Sequence, residues 1–278
     1  MSERYLEGRV ALVTGGASGM GRAMALEFAK AGANVAIGSL LSNRKETKAD
    51  GELVNMPGTE EMERTKGEIE AFGVKVLTVE LDVTSTESCE NFYRATVETF
   101  GKVDILANAA GITAEHGVVD HPDSLWMKVM DVNANGPFRM TKLCLPGMIE
   151  REWGRIINIS STAGNVGAPM SPAYCASKAA VLGMTRAVAL EGAAHGVSAN
   201  AICPGWTETD FGSSWMRDIA EKQLHMQGEE LIAQEKEANP QHRLIQTKEI
   251  GALAAFLCKE EAFGITGQDL TISGGSLW

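Results

Sequence analysis

Short unbroken apolar runs alternate along the chain with longer stretches in which apolar residues return every three or four positions. Val10-Ala11-Leu12-Val13 is the first such run, and a helical pattern follows it at 22–31. Further runs lie at 34–38, 74–81, 103–107, 154–160 and 269–273, and further helical patterns at 60–72, 85–100 and 122–150. Unbroken apolar strands are what a parallel sheet shows when helices cover both of its faces. Strands that alternate with helices build βαβ units. The pattern predicts an open parallel α/β sheet, with Thr84 or Ser85 capping the helix at 85–100.

Two stretches break this rhythm. Residues 41–59 are polar, carry the turn signals Asp50-Gly51 and Pro57-Gly58, and exceed a usual strand-to-helix connection, so they read as an insertion. Residues 210–243 scatter Phe211, Trp215, Met216, Leu224 and Met226 among charges just beyond a strand end at Pro204. That stretch is expected to form a helical lid over a pocket.

Composition narrows the classes. With 278 residues, 44% of them hydrophobic, the chain can bury one large core, and 1–278 is expected to be a single domain. A formal charge of −11 repels a phosphate backbone, so nucleic acid is not an expected partner. No stretch of eighteen uncharged apolar residues occurs and residues 1–9 lack the apolar core of a secretion signal, which leads to the expectation of a cytoplasmic protein with no membrane partner. Five cysteines (Cys89, Cys144, Cys175, Cys203 and Cys258) show no CxxC spacing, and the five histidines no i, i+4 pair, so free thiols and no metal are expected. Asn158-Ile159-Ser160 matches a glycosylation acceptor but lies on an apolar strand, where access is not expected.

Candidate chemistry clusters at strand ends. Thr14-Gly15-Gly16-Ala17-Ser18-Gly19-Met20-Gly21 joins the first strand to the first helix, and such a glycine turn at a helix N-terminus can hold a pyrophosphate. After the second strand come Ser39 and Leu40 where an NAD site would place an acidic residue, with Arg44, Lys45 and Lys48 able to reach a 2′-phosphate. Asp82 stands where it can accept a hydrogen bond from an adenine amino group, and Asn108-Ala109-Ala110-Gly111 is small enough for a flat ligand. Asn133 is an amide on a largely apolar helix face and needs partners. Ser160 and Ser161 lie at a strand end. Tyr174 and Lys178, four apart, share a helix face, where an ammonium pulls a neighbouring phenol down toward the pH range of proton exchange with an alcohol or ketone.

Taken in this order, the glycine turn, Asn108–Gly111, Asn133, Ser161 and Tyr174–Lys178 resemble the classical short-chain dehydrogenase/reductase family over residues 10–275. The resemblance implies a doubly wound Rossmann-type three-layer α/β sandwich with a seven-stranded parallel sheet. It implies Tyr174 as general acid/base, Lys178 as the residue that tunes it and holds a ribose, Ser161 as the anchor of the substrate oxygen, and Asn133 as support for a water-linked proton relay. It further assigns cofactor binding to Gly15, Ser18, Gly19, Met20, Gly21, Ser39, Asp82, Val83, Asn108, Ala109, Gly111, Tyr174 and Lys178. In Pro204-Gly205-Trp206-Thr207-Glu208-Thr209, Pro204, Gly205, Thr207 and Thr209 complete that set, and Thr207 and Thr209 would meet the nicotinamide carboxamide. A homotetramer is also implied, with helices at 122–150 and 174–195 paired across one interface and the last strand near another.

The sequence departs from the family pattern in three places. One of the paired asparagines is Ala109, Ser273 replaces the acidic residue ahead of Gly274-Gly275, and Ser18 stands where many NADP-preferring members carry arginine. The absent acid at 39–40 tilts the choice between NADP and NAD toward NADP. Around 205–258 the chain is similar to 3-hydroxybutyrate dehydrogenases, yet Thr113, Ala163, Ser171 and Trp215 occupy the positions of the glutamine, histidine, lysine and lid glutamine that hold the substrate carboxylate there. A carboxylate left unpaired in such a pocket is costly. The expected reaction is hydride transfer between NAD(P) and a neutral secondary alcohol or ketone, such as a polyol, sugar-derived or alicyclic compound. Ser161, Ala163, Tyr174, Trp206 and Trp215 are expected to contact that substrate. The alternatives are a hydroxy acid, with an acidic sugar met by Arg217, His225, His242 or Arg243, and a non-catalytic NAD(P)-binding sensor.

Overall fold

Seven parallel strands form the central sheet in the computed structural model, which describes residues 4–42 and 51–276. They are β1 (Val10–Thr14), β2 (Asn34–Ser39), β3 (Val76–Glu80), β4 (Ile105–Asn108), β5 (Gly154–Ile159), β6 (Val197–Pro204) and β7 (Asp269–Ile272). Their spatial order is β3-β2-β1-β4-β5-β6-β7, so the chain winds outward from β1 in one direction and then, from β4, in the other. This is the doubly wound Rossmann arrangement.

Alternation along each strand explains the three layers. In β1, Ala11 and Val13 face one helical layer and Leu12 the other. On the first side Met24 and Phe28 of α1 (Gly19–Lys30), Ile69 of α2 (Thr59–Glu70) and Ile250 of α9 (Thr247–Phe256) close the core. On the second, Phe92 of α3 (Thr86–Phe100) packs with Met140 and Met148 of α5 (Gly136–Glu150) and Val188 of α6 (Pro172–Gly192). Ser85 caps α3, its hydroxyl accepting from the Ser88 N–H at 3.2 Å. Asn158 is fully buried, which removes the glycosylation motif from reach.

Two expectations change, and a third takes a definite form. The helical pattern at 122–150 is two helices, α4 (Asp123–Met130) and α5, joined by a π turn at Asp131–Asn135. Pro137 supplies a reason, since it has no N–H to give the Asn133 carbonyl four residues back, and the Gly136 N–H reaches Asp131 instead. The described part of the 41–59 stretch is ordered into the fold rather than set apart from it. Glu52–Leu53 pairs antiparallel with Thr113–Ala114, and the buried Glu52 carboxylate meets the Lys128 ammonium at 2.8 Å. Arg44, Lys45 and Lys48 lie outside the described residues. Finally, 210–243 folds as α7 (Asp210–Ile219), a π turn at Ala220–Leu224 and α8 (Gly228–Ala238), closed internally by Met216, Ala220, Leu231 and Ile232.

Candidate active site

Where the strand order reverses, the carboxyl ends of β1 and β4 lie side by side and a crevice opens between the diverging chains. Thr14 and Asn108 are register partners there. The Thr14 hydroxyl accepts from the N–H groups of Ala109 and Ala110 at 3.1 and 3.2 Å, which stitches the glycine turn to the loop beyond β4. Gly15, at φ +65°, approaches that loop so closely that a Cβ would lie 2.9 Å from the Ala110 nitrogen. A Cβ on Gly21 would lie 2.2 Å from the Gly15 carbonyl oxygen. Among the described residues α1 has no side-chain cap on its first amides and no acid in its first turn. Bare amides at the positive end of a helix dipole receive phosphate readily.

One groove brings together Gly15, Ser18, Gly19, Met20 and Gly21 of this turn, Ser39, Asp82 and Val83 beyond β2 and β3, Ala109 and Gly111, and Tyr174, Lys178 and Thr209. A glycine turn that no methyl group could enter, open helix amides and a groove running on to a tyrosine and lysine fit a dinucleotide. Some of the expected cofactor residues are placed otherwise. The Asn108 amide donates to Asn158 Oδ1 at 2.8 Å inside the sheet, so its side chain is committed there and the neighbouring backbone lines the groove. The Ser39 hydroxyl accepts from the Ala17 N–H at 3.1 Å, and Asp82 Oδ1 accepts from the Thr84 N–H and hydroxyl at 2.9 and 2.6 Å. Pro204, Gly205 and Thr207 do not line the groove: the Pro204 carbonyl accepts from the Thr162 N–H at 3.1 Å and the Thr207 hydroxyl donates to the Gly205 carbonyl at 3.0 Å. Instead, Asn55 and Met56 from the polar stretch line it, and the Asn55 amide reaches the Ser18 hydroxyl at 3.5 Å.

Tyr174 stands in the first turn of α6, whose first residue is Pro172, and Lys178 follows one turn later. Ser161 lies close enough to the Tyr174 phenol to lower its pKa, and the serine oxygen accepts from the Ala163 N–H at 3.1 Å. Burial pushes the Tyr174 phenol up to about 12, although Ser161 pulls it down. Burial also pushes the Lys178 ammonium down to about 8, while its Nζ donates to the Ile159 carbonyl at 2.9 Å. The phenol lowered by its lysine neighbour, expected from the spacing, is therefore not what the structure gives. Desolvation disfavours the charged form of both residues, raising the acid and weakening the cation that opposes it.

Asn133 reaches its partners from the π turn. Its Oδ1 accepts from the Ile112 N–H at 2.9 Å and its Nδ2 donates to the Ile112 carbonyl at 2.8 Å and to the Ser177 hydroxyl at 3.0 Å. Ser177 in turn donates to the Tyr174 carbonyl at 2.8 Å. Ser177 carries no motif and escapes a reading of the sequence; only its place between Tyr174 and Lys178 hints at it.

Trp215 of α7 covers this centre. Its ring meets Tyr174 edge to face at 5.0 Å and Trp206 at 5.1 Å between centroids, with Ala163 in the same buried cluster. Behind it the buried Glu115 accepts from the Trp215 indole N–H, from the Ser171 hydroxyl at 2.9 Å and from Gln223 at 2.6 Å. Glu115 also escapes the sequence reading. Arg217 and Arg243 pair with Glu229 and Glu249 at 2.8 and 2.6 Å, and neither they nor His225 and His242 line the groove, which removes the support for an acidic sugar held from these residues.

Residues 15–276 match the family model described as enoyl-(acyl carrier protein) reductase. A D-beta-hydroxybutyrate dehydrogenase of Cupriavidus necator is 34% identical over 275 residues, covering 97% of this chain and 98% of that one. Among solved structures, a variant of actinorhodin polyketide ketoreductase with NADPH superposes with a TM-score of 0.87 at 34% identity, covering 99% of this chain and 98% of the other. An NAD+-bound xylitol dehydrogenase gives 0.85 at 29% identity, covering 97% and 99%. The chain belongs to the short-chain dehydrogenase/reductase family, whose members are oxidoreductases that act on hydroxyl and keto groups with a nicotinamide cofactor. Among the described residues no helix is long and apolar enough to cross a membrane.

Proposed function

We propose that this protein transfers a hydride between NAD(P) and a neutral secondary alcohol or ketone, of the polyol, sugar-derived or alicyclic class. The observation that carries the reading is Tyr174 with Lys178 one helical turn on, both lining the groove that begins at the glycine turn, with Trp215 packed edge to face on the tyrosine ring. When bound, the nicotinamide supplies or receives the hydride. Gly15, Gly19, Gly21 and the first amides of α1 would hold its phosphates, Asp82 and Val83 its adenine, Tyr174 and Lys178 the ribose nearest the chemistry, and Thr209 the carboxamide.

Negative charge develops on a carbonyl oxygen as it is reduced, and donors aimed at that point lower the barrier. Ser161 and Tyr174 are that donor pair, and Tyr174 gives its proton to the new alkoxide. In the oxidative direction the phenolate takes the proton from the alcohol. The Asn133 carbonyl, which Pro137 leaves without its helical donor, is the place for a relay water. Ala163, Trp206 and Trp215 do not line the groove but pack on Tyr174 beside it, so they would meet a substrate once the lid at 210–243 opens. Tyr174→Phe tests the reading: turnover disappears while NAD(P)H binding persists, and a variant with near wild-type activity sinks it.

Between the two cofactors we favour NADP, since Ser39 presents no negative charge to a 2′-phosphate; a competitive titration with NADH and NADPH decides. The protein is taken to be a cytoplasmic homotetramer, with the exposed Met127, Phe138 and Leu190 of α4, α5 and α6 as the apolar residues such interfaces would cover. Sedimentation gives the assembly directly.

A further inference from the structure

Glu115 is a carboxylate nearly out of solvent, at 8% exposure, and among the described residues no cation lies against it. The charge that bears on it is Asp218, of the same sign. Buried carboxylates without a counter-ion are rare because desolvation opposes them, so its retention calls for an explanation. Three segments converge on this residue. Its N–H donates to the Gly51 carbonyl at 3.0 Å, Ser171 reaches it from the loop ahead of α6, and Trp215 and Gln223 reach it from the lid. Burial pushes the Glu115 carboxyl above the usual carboxylate range, and the three side-chain bonds, the indole N–H among them able only to donate, pull it back toward the ionised form.

Trp215 is thus held from two sides, by Tyr174 at its ring and by Glu115 at its nitrogen. We propose that Glu115 seats the lid and sets the charge preference of the pocket: it positions Trp215 over Tyr174, and its carboxylate turns away substrates that carry a carboxylate of their own. This rests on the substrate pocket assigned above. The chain therefore places a carboxylate behind Trp215, outside the residues that line the groove, while a relative is a hydroxybutyrate dehydrogenase; a like charge desolvated nearby is repelled rather than held. Glu115 touches neither cofactor nor reacting atoms, so it is a positioning residue.

Two variants separate seating from charge. Glu115→Gln keeps the shape and, with the Gln223 amide turned over, keeps every hydrogen bond; Glu115→Ala removes them. Trypsin reports the lid without any assay of turnover, since Arg217 and Lys222 are 54% and 51% exposed on it. Cleavage there is expected to be at least about tenfold faster in E115A than in wild type, with E115Q near wild type; an unchanged rate in E115A overturns the seating role. Charge is read by titrating acetoacetate and its neutral isostere acetoacetamide into protein saturated with NADPH or NADH. Wild type is expected to bind the amide at least about tenfold more tightly, and E115Q to close that gap. Equal affinities in wild type, an undiminished gap in E115Q, or no binding of either probe overturns the charge role. Failure of NAD(P)H itself to bind overturns the assigned function instead, and the trypsin comparison still decides whether Glu115 seats the segment.

Discussion

The Lys178 ammonium donates to the Ile159 carbonyl at 2.9 Å, so the nitrogen that stands 5.4 Å from the centre of the Tyr174 ring also ties α6 to the end of β5. The tie is returned by Ser160, whose hydroxyl donates to the Lys178 carbonyl at 2.9 Å. Strand end and helix start are thereby fixed to each other within one turn of the tyrosine.

That placement makes Lys178 a destabilising residue. Burial lowers its ammonium from 10.5 to about 8, which corresponds to roughly 3 kcal/mol. The unfolded chain keeps its proton up to the ordinary lysine range, so between these values it binds more protons than the native state and stability rises with pH; below about 8 the penalty is fully present. Lys178→Met removes the penalty and loses one bond to Ile159, itself about 1 kcal/mol. The variant is expected to be inactive yet more stable by on the order of 2 kcal/mol at neutral pH, an advantage that shrinks above pH 8. Denaturant unfolding at pH 7 and pH 10 checks it, and a less stable variant at both refutes the argument.

A second prediction follows from Tyr174. Its pKa near 12 keeps the phenol protonated across the physiological range, the form needed to donate a proton to a reduced carbonyl. Oxidation needs the phenolate, whose fraction rises about tenfold per pH unit below that value. The kcat/KM for alcohol oxidation should climb steadily from pH 7 to 9, while that for ketone reduction stays nearly flat. An oxidation optimum at or below pH 7 contradicts the raised phenol.

How much of this could be read beforehand follows the physics of each signal. β1, the glycine turn and α1 were legible because doubly covered strands show as apolar runs and only glycine fits a turn that closes on its own carbonyl. The π turn at Asp131–Asn135 was not, since a helical period does not distinguish one extra residue per turn; the visible clue was Pro137. The stretch at 51–58 looked solvated because its residues are polar, yet Glu52 and Asn55 are polar residues with partners in the fold. Tyr174 and Lys178 were found by spacing, but the direction of the phenol's shift depends on burial, which spacing does not encode. Glu115 was invisible for the same reason.

Asn133 holds both backbone groups of Ile112 and the Ser177 hydroxyl, all from a side chain 1% exposed. Asn133→Ala leaves a buried donor and a buried acceptor without partners, at about 1 to 3 kcal/mol each. Ser177→Ala removes a hydroxyl whose own bond goes to Tyr174 within the same helix, and about 1 kcal/mol is expected. Thermal unfolding of both variants tests the ranking, and equal losses speak against Asn133 as the clamp between the β4 loop and α6.

The glycine turn gives the sharpest test of the cofactor site. A methyl group on Gly21 would sit 2.2 Å from the Gly15 oxygen, and Gly15 itself cannot retreat, because even a Cβ on it would lie 2.9 Å from the Ala110 nitrogen. Both contacts are with backbone, so relief requires the turn to open and the first amides of α1 to leave the positions that face the groove. Gly21→Ala is therefore expected to lower NAD(P)H affinity by about a hundredfold or more, an effect of roughly 3 kcal/mol. Gly183 on α6 is the control, since a Cβ there meets nothing within 4 Å; Gly183→Ala should bind as wild type does and gain slightly in stability from better helix propensity. Fluorescence titration of NADPH and NADH against the two variants makes the comparison, and normal affinity in Gly21→Ala would place the phosphates somewhere other than this turn.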